Sequence, residues 1–333
     1  MDKTRIGVIG LGTIAQLVHL PIINKLNNVQ LVGLAEINKN RLQSIGEKYP
    51  SANRYTDYKE MLGSEKLDAV IITTPTNSHT QIAIDSIKAK TNILIEKPIA
   101  LNVTEAKEIS AIAKKNKKIA MVGMNLRFRP DAMLMRSLIN AGDLGDIFYI
   151  KCGWIRKQSS TQKWFMKKNE AGGGVVIDLG ILLLDLALWM LSDSKVESVS
   201  IQKYNHTFKE IEDTAIGMIR LDNSKIINFE VSWKLHTKVD GLSFSVHGTK
   251  GMAQLNPLQV YKFIESSSID ISPSKSGSSQ GLYRKSYENE LKHFIANVRT
   301  GIPVISSAEE AVKRMELLEK IYISAEQEKE IKM

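Results

Sequence analysis

Short, nearly continuous apolar runs alternate with amphipathic stretches over the first 124 residues. The runs at 5–10, 29–35, 68–73, 92–95 and 119–123 predict strands. The intervening apolar spacing predicts helices near 13–26, 38–48, 57–63, 79–89 and 104–116. Runs such as Ala69-Val-Ile-Ile-Thr73 and Ile119-Ala-Met-Val-Gly123 lack the in–out alternation of a half-exposed strand. They suit a parallel sheet buried on both faces. Right-handed crossovers then wind the helices onto both sides, which makes residues 1–124 an α/β domain with a doubly wound sheet.

The rhythm changes after residue 125. A helix near 130–141 precedes a strand near 146–155, and an apolar helix over 178–191 follows the run Gly172-Gly-Gly174. Strand patterns then come one after another at 196–204, 212–221, 225–235, 240–248 and 258–264, separated by turns such as Asp222-Asn-Ser224 and Gly248-Thr-Lys-Gly251. Strands in series, with helices only at the flanks, predict an α+β domain over 125–333 whose sheet is mostly antiparallel with one face on helices. The Ser-rich stretch Ser266–Gly281 reads as a mobile loop, and helices near 284–299 and 307–327 close the chain.

The first strand ends in Gly10-Leu-Gly12-Thr13-Ile14-Ala15, where a helix begins. Glycine at 10 permits a tight turn. Glycine at 12 lets the backbone approach a pyrophosphate seated on the helix N-terminus, and the small Ala15 lets that helix pack on the strand. The second strand ends at Glu36, twenty-one residues past Ala15. A carboxylate there accepts hydrogen bonds from an adenosine ribose and repels a 2′-phosphate, so the pattern reads as a Rossmann site for NAD rather than NADP. Lys39 and Arg41 follow closely and would soften that preference. The plain alternative is a glycine-rich turn with an unrelated acid.

Composition changes this picture little. A chain of 333 residues with 43% hydrophobic and 24% charged residues has the size for two domains and a large core. The net charge of +9 comes from lysines spread along helix-like segments, such as Lys114-Lys115 and Lys117-Lys118. That describes a solvated basic surface, and nucleic acid is not an expected partner. The one cysteine, Cys152, excludes an intrachain disulfide and fits a reducing compartment, so the expected location is cytoplasmic. Gly7, Gly10, Gly12, His19 and Pro21 interrupt the apolar N-terminus, which is neither signal peptide nor membrane span. The six histidines, at 19, 79, 206, 236, 247 and 293, lack metal-ligand spacing, so no metal is expected.

Two further motifs end strands of the first domain. Thr73-Thr74-Pro75-Thr76-Asn77-Ser78-His79 presents short polar groups to a nucleotide, or simply caps a helix. Ile95-Glu96-Lys97-Pro98 places an amine at the mouth of the sheet, with Pro98 fixing the backbone there, as a cis bond would. The alternative for that pair is a surface ion pair before a turn.

In order along the chain, these motifs are joined by Gly123-Met-Asn125-Leu-Arg127-Phe128-Arg-Pro130, Trp164, Gly172-Gly-Gly174 with Asp178, and Tyr287 with Phe294. The set resembles the Gfo/Idh/MocA oxidoreductases, the relatives of glucose–fructose oxidoreductase and inositol dehydrogenase, over nearly the whole chain. The resemblance implies a Rossmann domain plus an open-sheet domain for substrate binding and oligomerisation, as a homodimer or homotetramer. It implies hydride transfer between a nicotinamide and a hydroxyl or carbonyl of a sugar, sugar acid or cyclitol. By position it assigns Gly10, Gly12, Thr13 and Ile14 to the pyrophosphate and Glu36 to the ribose. Thr74, Pro75, Asn77 and His79 would line the nucleotide groove, Glu96 and Lys97 would contact the nicotinamide ribose, and Asn125 the carboxamide end. Trp164 and Tyr287 match positions that approach the cofactor in some members.

One departure matters. The family's helix opening reads Asp-x-Gly-x-His, whereas this chain has Asp178-Leu-Gly-Ile-Leu182. Leucine cannot transfer a proton. Asp178, Leu182 and Asp185 lie on one face of an apolar helix, where a carboxylate is costly unless paired or functional. Asp178 reads as catalytic or as a helix cap; Asp185 reads as structural. Lys97 is then the expected acid/base, with Asp178 assisting, and the two are expected to converge on the transferable hydrogen. A free amine titrates at about 10.4, so donation by the ammonium to a carbonyl needs less tuning than proton abstraction. The basic stretch Arg156, Lys157, Lys163, Lys167 and Lys168 fits either an anionic substrate or an exposed loop. The alternative to an enzyme is a non-catalytic dinucleotide-binding sensor of the same fold.

Overall fold

The computed structural model describes residues 3–158, 162–192, 194–234, 240–265, 267–274 and 277–333. Among features expected above, Leu235, His236, Ser266, Lys275, Ser276 and part of the basic stretch (159–161) lie outside the described residues. The chain divides into two compact units, Met1–Met124 with Tyr287–Lys313, and Asn125–Ser286 with Arg314–Met333.

The first unit holds β1 (Thr4–Ile9), α1 (Leu20–Ile23), β2 (Val29–Ala35), α2 (Lys39–Gly46), β3 (Asn53–Tyr55), α3 (Tyr58–Ser64), β4 (Ala69–Ile72), α4 (His79–Lys88), β5 (Asn92–Ile95), α5 (Val103–Lys115) and β6 (Ala120–Val122). All strand pairs are parallel, in the order β3-β2-β1-β4-β5-β6. This is the doubly wound order, with its switch point between β1 and β4. Every residue of β4 and β6 is buried, which is why their sequences run apolar without alternation. Strand β3 was not expected: three mostly exposed residues at a sheet edge carry no apolar signal. A later segment borders β6, where the Val122 N–H donates to the Ser306 carbonyl at 2.8 Å.

The helix expected over 13–26 is not regular. Between Ala15 and His19 it widens into a π turn, where Leu20 N–H donates to the Ala15 carbonyl, before α1 resumes. Such insertions are rare and concentrate at functional sites.

The second unit contains α6 (Pro130–Asn140), β7 (Ile147–Ile155), α7 (Lys168–Ala171), α8 (Ile181–Met190), β8 (Val196–Tyr204), β9 (Thr214–Leu221), β10 (Ile226–Ser232), β11 (Gly241–Gly248), β12 (Gly251–Leu255), β13 (Gln259–Ile264) and β14 (Ser267–Asp270). The chain ends with α9 (Ser279–Thr300) and α10 (Ala308–Gln327), which contribute to both units, and β15 (Ile331–Lys332). Nine strands form one sheet in the order β14-β13-β12-β11-β7-β10-β9-β8-β15, antiparallel except for β10 on β7. Helix α8 is buried on nearly every side, which explains its unbroken apolar sequence. Cys152, on β7, is buried, and its Sγ–H points to the Asn228 carbonyl at 3.4 Å.

One expectation fails here. Residues Ser267–Asp270, read as loop, form β14 and pair with Tyr261–Ile264 of β13. An exposed edge strand is held by backbone hydrogen bonds, so four solvent-facing side chains leave no alternating pattern to read. Strands β12 and β15 were also missed, the first being five residues long and the second two.

Candidate active site

At the switch point, the turn after β1 and the end of β4 brace each other. Thr73 Oγ1 donates to the Gly10 carbonyl at 2.6 Å, and Gly10 N–H donates to the Ala35 carbonyl at 2.8 Å. Gly10 has φ +87°, and a Cβ there would lie 2.7 Å from Thr74 Cγ2 and 2.9 Å from Thr74 N. Only glycine satisfies both the backbone and the space. At Gly12 the nearest atom to an added Cβ would be the Thr73 carbonyl oxygen, 3.9 Å away, so the backbone is open to an incoming group. The following N–H groups begin a helix and have no intrahelical acceptor, which is what a pyrophosphate requires.

Glu36 reaches this turn from β2. Its carboxylate accepts Leu11 N–H at 2.9 Å and Asn38 N–H at 2.9 Å, and Arg41 Nη1 lies 3.1 Å from Oε2. A carboxylate offers about four acceptor positions. Three are in use, one of them by the partly exposed Arg41, so the residue keeps one position for a further donor such as a ribose hydroxyl. The glycine turn, the uncapped helix start and the acid together fit a dinucleotide.

The polar segment after β4 is mixed. Asn77 is exposed, Thr74 and Pro75 are half-buried, and Ser78 Oγ lies 2.8 Å from Thr74 Oγ1. His79 opens α4. It is buried, with its ring nitrogens 2.9 Å from the Pro98 and Thr74 carbonyls, so it ties the two segments together. Burial pulls its imidazole below the ordinary value, against the opposite pull of those carbonyls.

Glu96 and Lys97 follow β5, and the Lys97–Pro98 bond is cis. Glu96 N–H continues the sheet by donating to Ile72, and Oε1 lies 2.7 Å from His19 Nε2. Burial would raise the Glu96 carboxyl, but the His19 hydrogen bond and the charges of His19 and Lys97 outweigh it and hold it below the usual range. Gly123 leaves room for this side chain, since a Cβ there would sit 3.3 Å from Glu96 Oε2. Tyr287 is also in the first unit, its ring edge-on to His19 with centroids 6.1 Å apart.

In the second unit, Asp178 lies inside a π turn, Val176–Gly180, closed by Ile181 N–H on the Val176 carbonyl. Its own N–H already bonds the Gly174 carbonyl, so it is not the cap of this helix. Its carboxylate is buried and accepts Trp233 Nε1–H at 3.1 Å. Glu212 holds the preceding glycine run: Oε1 accepts Gly174 N–H at 2.9 Å, Val176 N–H at 3.0 Å and Tyr322 O–H at 2.9 Å. Methyl groups at Gly173 and Gly174 would collide with the Tyr322 hydroxyl and the Glu212 carbonyl, which explains the glycines. Burial raises the Glu212 carboxyl despite its donors.

Asp185 is structural. Arg127 Nε and Arg314 Nε donate to it at 2.7 and 2.9 Å. Burial would raise its carboxyl, and the two guanidiniums reverse that, leaving it below the ordinary value. Asn125 is buried and donates to Ser286 Oγ at 2.9 Å. Trp164 meets Phe165 edge-on, and Phe165 packs against Trp233. Within the basic stretch, Lys167 pairs with Glu170 at 2.7 Å and Lys168 with Glu326 at 3.8 Å, both at exposed positions.

Sequence reasoning missed Trp233, Glu212, His19 and Glu290. Only Glu290 left a signal: with Tyr287, Leu291 and Phe294 it keeps i, i+3, i+4, i+7 spacing, a carboxylate on an apolar helix stripe.

A doubly wound domain with a glycine turn and an acid at the end of its second strand, followed by a large mixed-sheet domain, is the architecture of a dinucleotide-dependent oxidoreductase. The family comparisons agree: the NAD-binding Rossmann fold of an oxidoreductase family matches residues 4–124, and that family's C-terminal alpha/beta domain matches residues 136–333. The chain belongs to the Gfo/Idh/MocA oxidoreductase family. It is 27% identical to D-glucoside 3-dehydrogenase of Escherichia coli (strain K12), over 97% of this chain and 95% of that one. It is 28% identical to the NAD(+)-dependent scyllo-inositol 2-dehydrogenase of Bacillus subtilis (strain 168), over 93% and 91%. A levoglucosan dehydrogenase solved with NADH and L-sorbose shares the fold at a TM-score of 0.90 with 20% identity, covering 100% of this chain and 99% of that one.

Proposed function

We propose that this protein oxidises a hydroxyl, or reduces the matching carbonyl, of a sugar, sugar acid or cyclitol, with Lys97 carrying the proton and Asp178 assisting. The observation that supports this most is the position of Lys97, directly after β5 at the carboxyl end of the parallel sheet, on the same rim as the Gly10–Gly12 turn. Bound NAD supplies the hydride acceptor, and NADH the donor. Gly10, Gly12, Thr13 and Ile14 hold the pyrophosphate, and Glu36 holds the ribose. In oxidation the neutral Lys97 amine takes the hydroxyl proton as the carbon–oxygen bond becomes a carbonyl. In reduction the ammonium returns that proton to the carbonyl oxygen. Trp233 fixes the Asp178 carboxylate so that it accepts from a substrate hydroxyl in one orientation.

Leu182 supports a second reading. It occupies, as a buried apolar residue, the place of the family's helix histidine, and a dinucleotide-binding sensor would tolerate that change. The two readings separate in one experiment. NADH- and NAD-loaded protein is offered a panel of sugars, sugar acids, cyclitols and their keto forms while absorbance at the nicotinamide band is followed. Turnover that Lys97→Met abolishes supports the enzyme. Tight NADH binding with no turnover across the panel supports the sensor.

A further inference from the structure

Next to Lys97 the first unit contains an arrangement that the proposed chemistry does not use. Glu290 is fully buried on α9, and neither carboxyl oxygen has a hydrogen-bond partner among the described residues. His19 is also fully buried; its Nε2 faces Glu96, while Nδ1 has no partner among the described residues. Tyr287, one turn before Glu290 on α9, meets the His19 ring edge-on. One face of α9 therefore presents a tyrosine and a carboxyl to the His19–Glu96 pair, and Glu96 is the residue before Lys97.

A buried carboxyl without a partner is strongly disfavoured as an anion, and it is disfavoured again by a neighbouring carboxylate. Both effects act on Glu290. Burial first, and the charge of Glu96 second, push it well above the ordinary glutamate value. Glu96 is held on the other side of that value, for the reasons given above. The two neighbouring carboxyls are thus pushed in opposite directions, Glu290 toward its protonated form and Glu96 toward its anion. Among the described residues, the other groups tied to this pair that titrate or carry charge are Lys97, after β5; His19, in the π turn after β1; His79, on α4; and Tyr287, on α9, with His293 three residues past Glu290 on the same helix.

We infer that Glu290 is a positioning residue that acts through Glu96 on the proton of Lys97. While Glu290 is protonated, this carboxyl pair carries one negative charge. When Glu290 ionises, a second negative charge appears, and the Lys97 ammonium keeps its proton more firmly. The pair thereby couples the charge state of a sealed carboxyl to the acid/base group at the rim. This rests on the reading of Lys97 given above.

Glu290→Gln tests it, because the amide has the shape of the protonated acid and cannot ionise. In the cofactor-free protein, unfolding is measured against pH for both forms. Between the unfolded glutamate value of about 4.3 and the raised folded value, the native wild type binds one proton more than the unfolded chain. Its stability must therefore fall relative to Glu290→Gln as pH rises through that window, and the gap must level off above it. A gap that does not change with pH overturns the held proton.

The pH profiles of kcat supply the second reading. Without the extra charge, Lys97 gives up its proton sooner, so in Glu290→Gln the rising limb of oxidation and the falling limb of reduction both move to lower pH. Glu290→Asp, which can still ionise, keeps them nearer the wild-type position. Profiles of Glu290→Gln that overlay the wild type overturn the coupling. Lys97→Met separates the two failures. If Lys97→Met turns over normally, the Lys97 reading fails while the stability result stands. If it is inactive and the Glu290→Gln profiles are unshifted, the coupling alone fails.

Discussion

Trp233 donates its indole N–H to the Asp178 carboxylate at 3.1 Å, joining the residue after β10 to the π turn before α8. The bond gives a buried acid a defined orientation. Trp233→Phe keeps the ring and removes the donor. A hydrogen bond to a charged group is worth about 1.5–3 kcal/mol. If Asp178 assists the chemistry as proposed, kcat falls about tenfold or more in Trp233→Phe while NADH binding holds. Steady-state kinetics beside a fluorescence titration of NADH checks both halves.

Lys97→Met removes the proposed proton carrier but keeps most of the length of the side chain. The expected loss in kcat is about 10²–10⁴-fold, the range for a general acid or base, with NADH affinity retained. Lys97→Arg, which cannot act as a neutral base, should restore little in the oxidising direction.

Gly10→Ala tests the turn. At φ +87° an alanine is strained whatever the space, and its methyl would meet Thr74. The expected cost is about 1–3 kcal/mol in stability, together with weakened NADH binding. Thermal unfolding with and without NADH reads both, and the stabilisation that NADH confers should shrink in the variant.

Glu36→Ala leaves Leu11 N–H and Asn38 N–H without their acceptor and frees Arg41. If Glu36 holds the ribose as proposed, NADH affinity should fall and the preference over NADPH should narrow, because the released Arg41 guanidinium could then pair with a 2′-phosphate. Glu36→Ala/Arg41→Ala should lose the gain for NADPH. Equilibrium titrations with both nucleotides decide it.

Asp185→Asn disrupts a buried junction with Arg127 and Arg314. Removing one charge from such a set costs about 3–5 kcal/mol. The folded carboxyl lies below its unfolded value of about 3.9, so its contribution is complete above that pH and is lost as pH falls through the folded value. Urea unfolding at neutral pH and near pH 3 should show the gap between wild type and variant narrowing in acid.

The strands that carry the chemistry were legible because their burial is extreme. The run Ala69–Ile72 has no polar position to confuse the pattern, and Gly10 answers to a backbone requirement that only one residue type meets. The edge strands β3, β14 and β15 were not legible, because backbone pairing at a sheet margin needs no apolar side chain. The two π turns were equally hidden. An extra residue in a helical turn shifts the register without changing composition, and His19, the last residue of the first π turn, lies 2.7 Å from Glu96. Trp233 and Glu212 are far in sequence from the segment they hold, so only the folded chain connects them to Asp178 and the glycine run.

Cys152 is the one sulfhydryl in the sequence, and burial within the sheet pushes it up to about 12. At neutral pH almost none of it exists as the reactive thiolate, so alkylating reagents will pass it by. The wild-type sequence is thereby a ready background for spectroscopy. A single cysteine introduced at the exposed Asn77 would take a fluorophore or spin label alone, without any native cysteine having to be removed first.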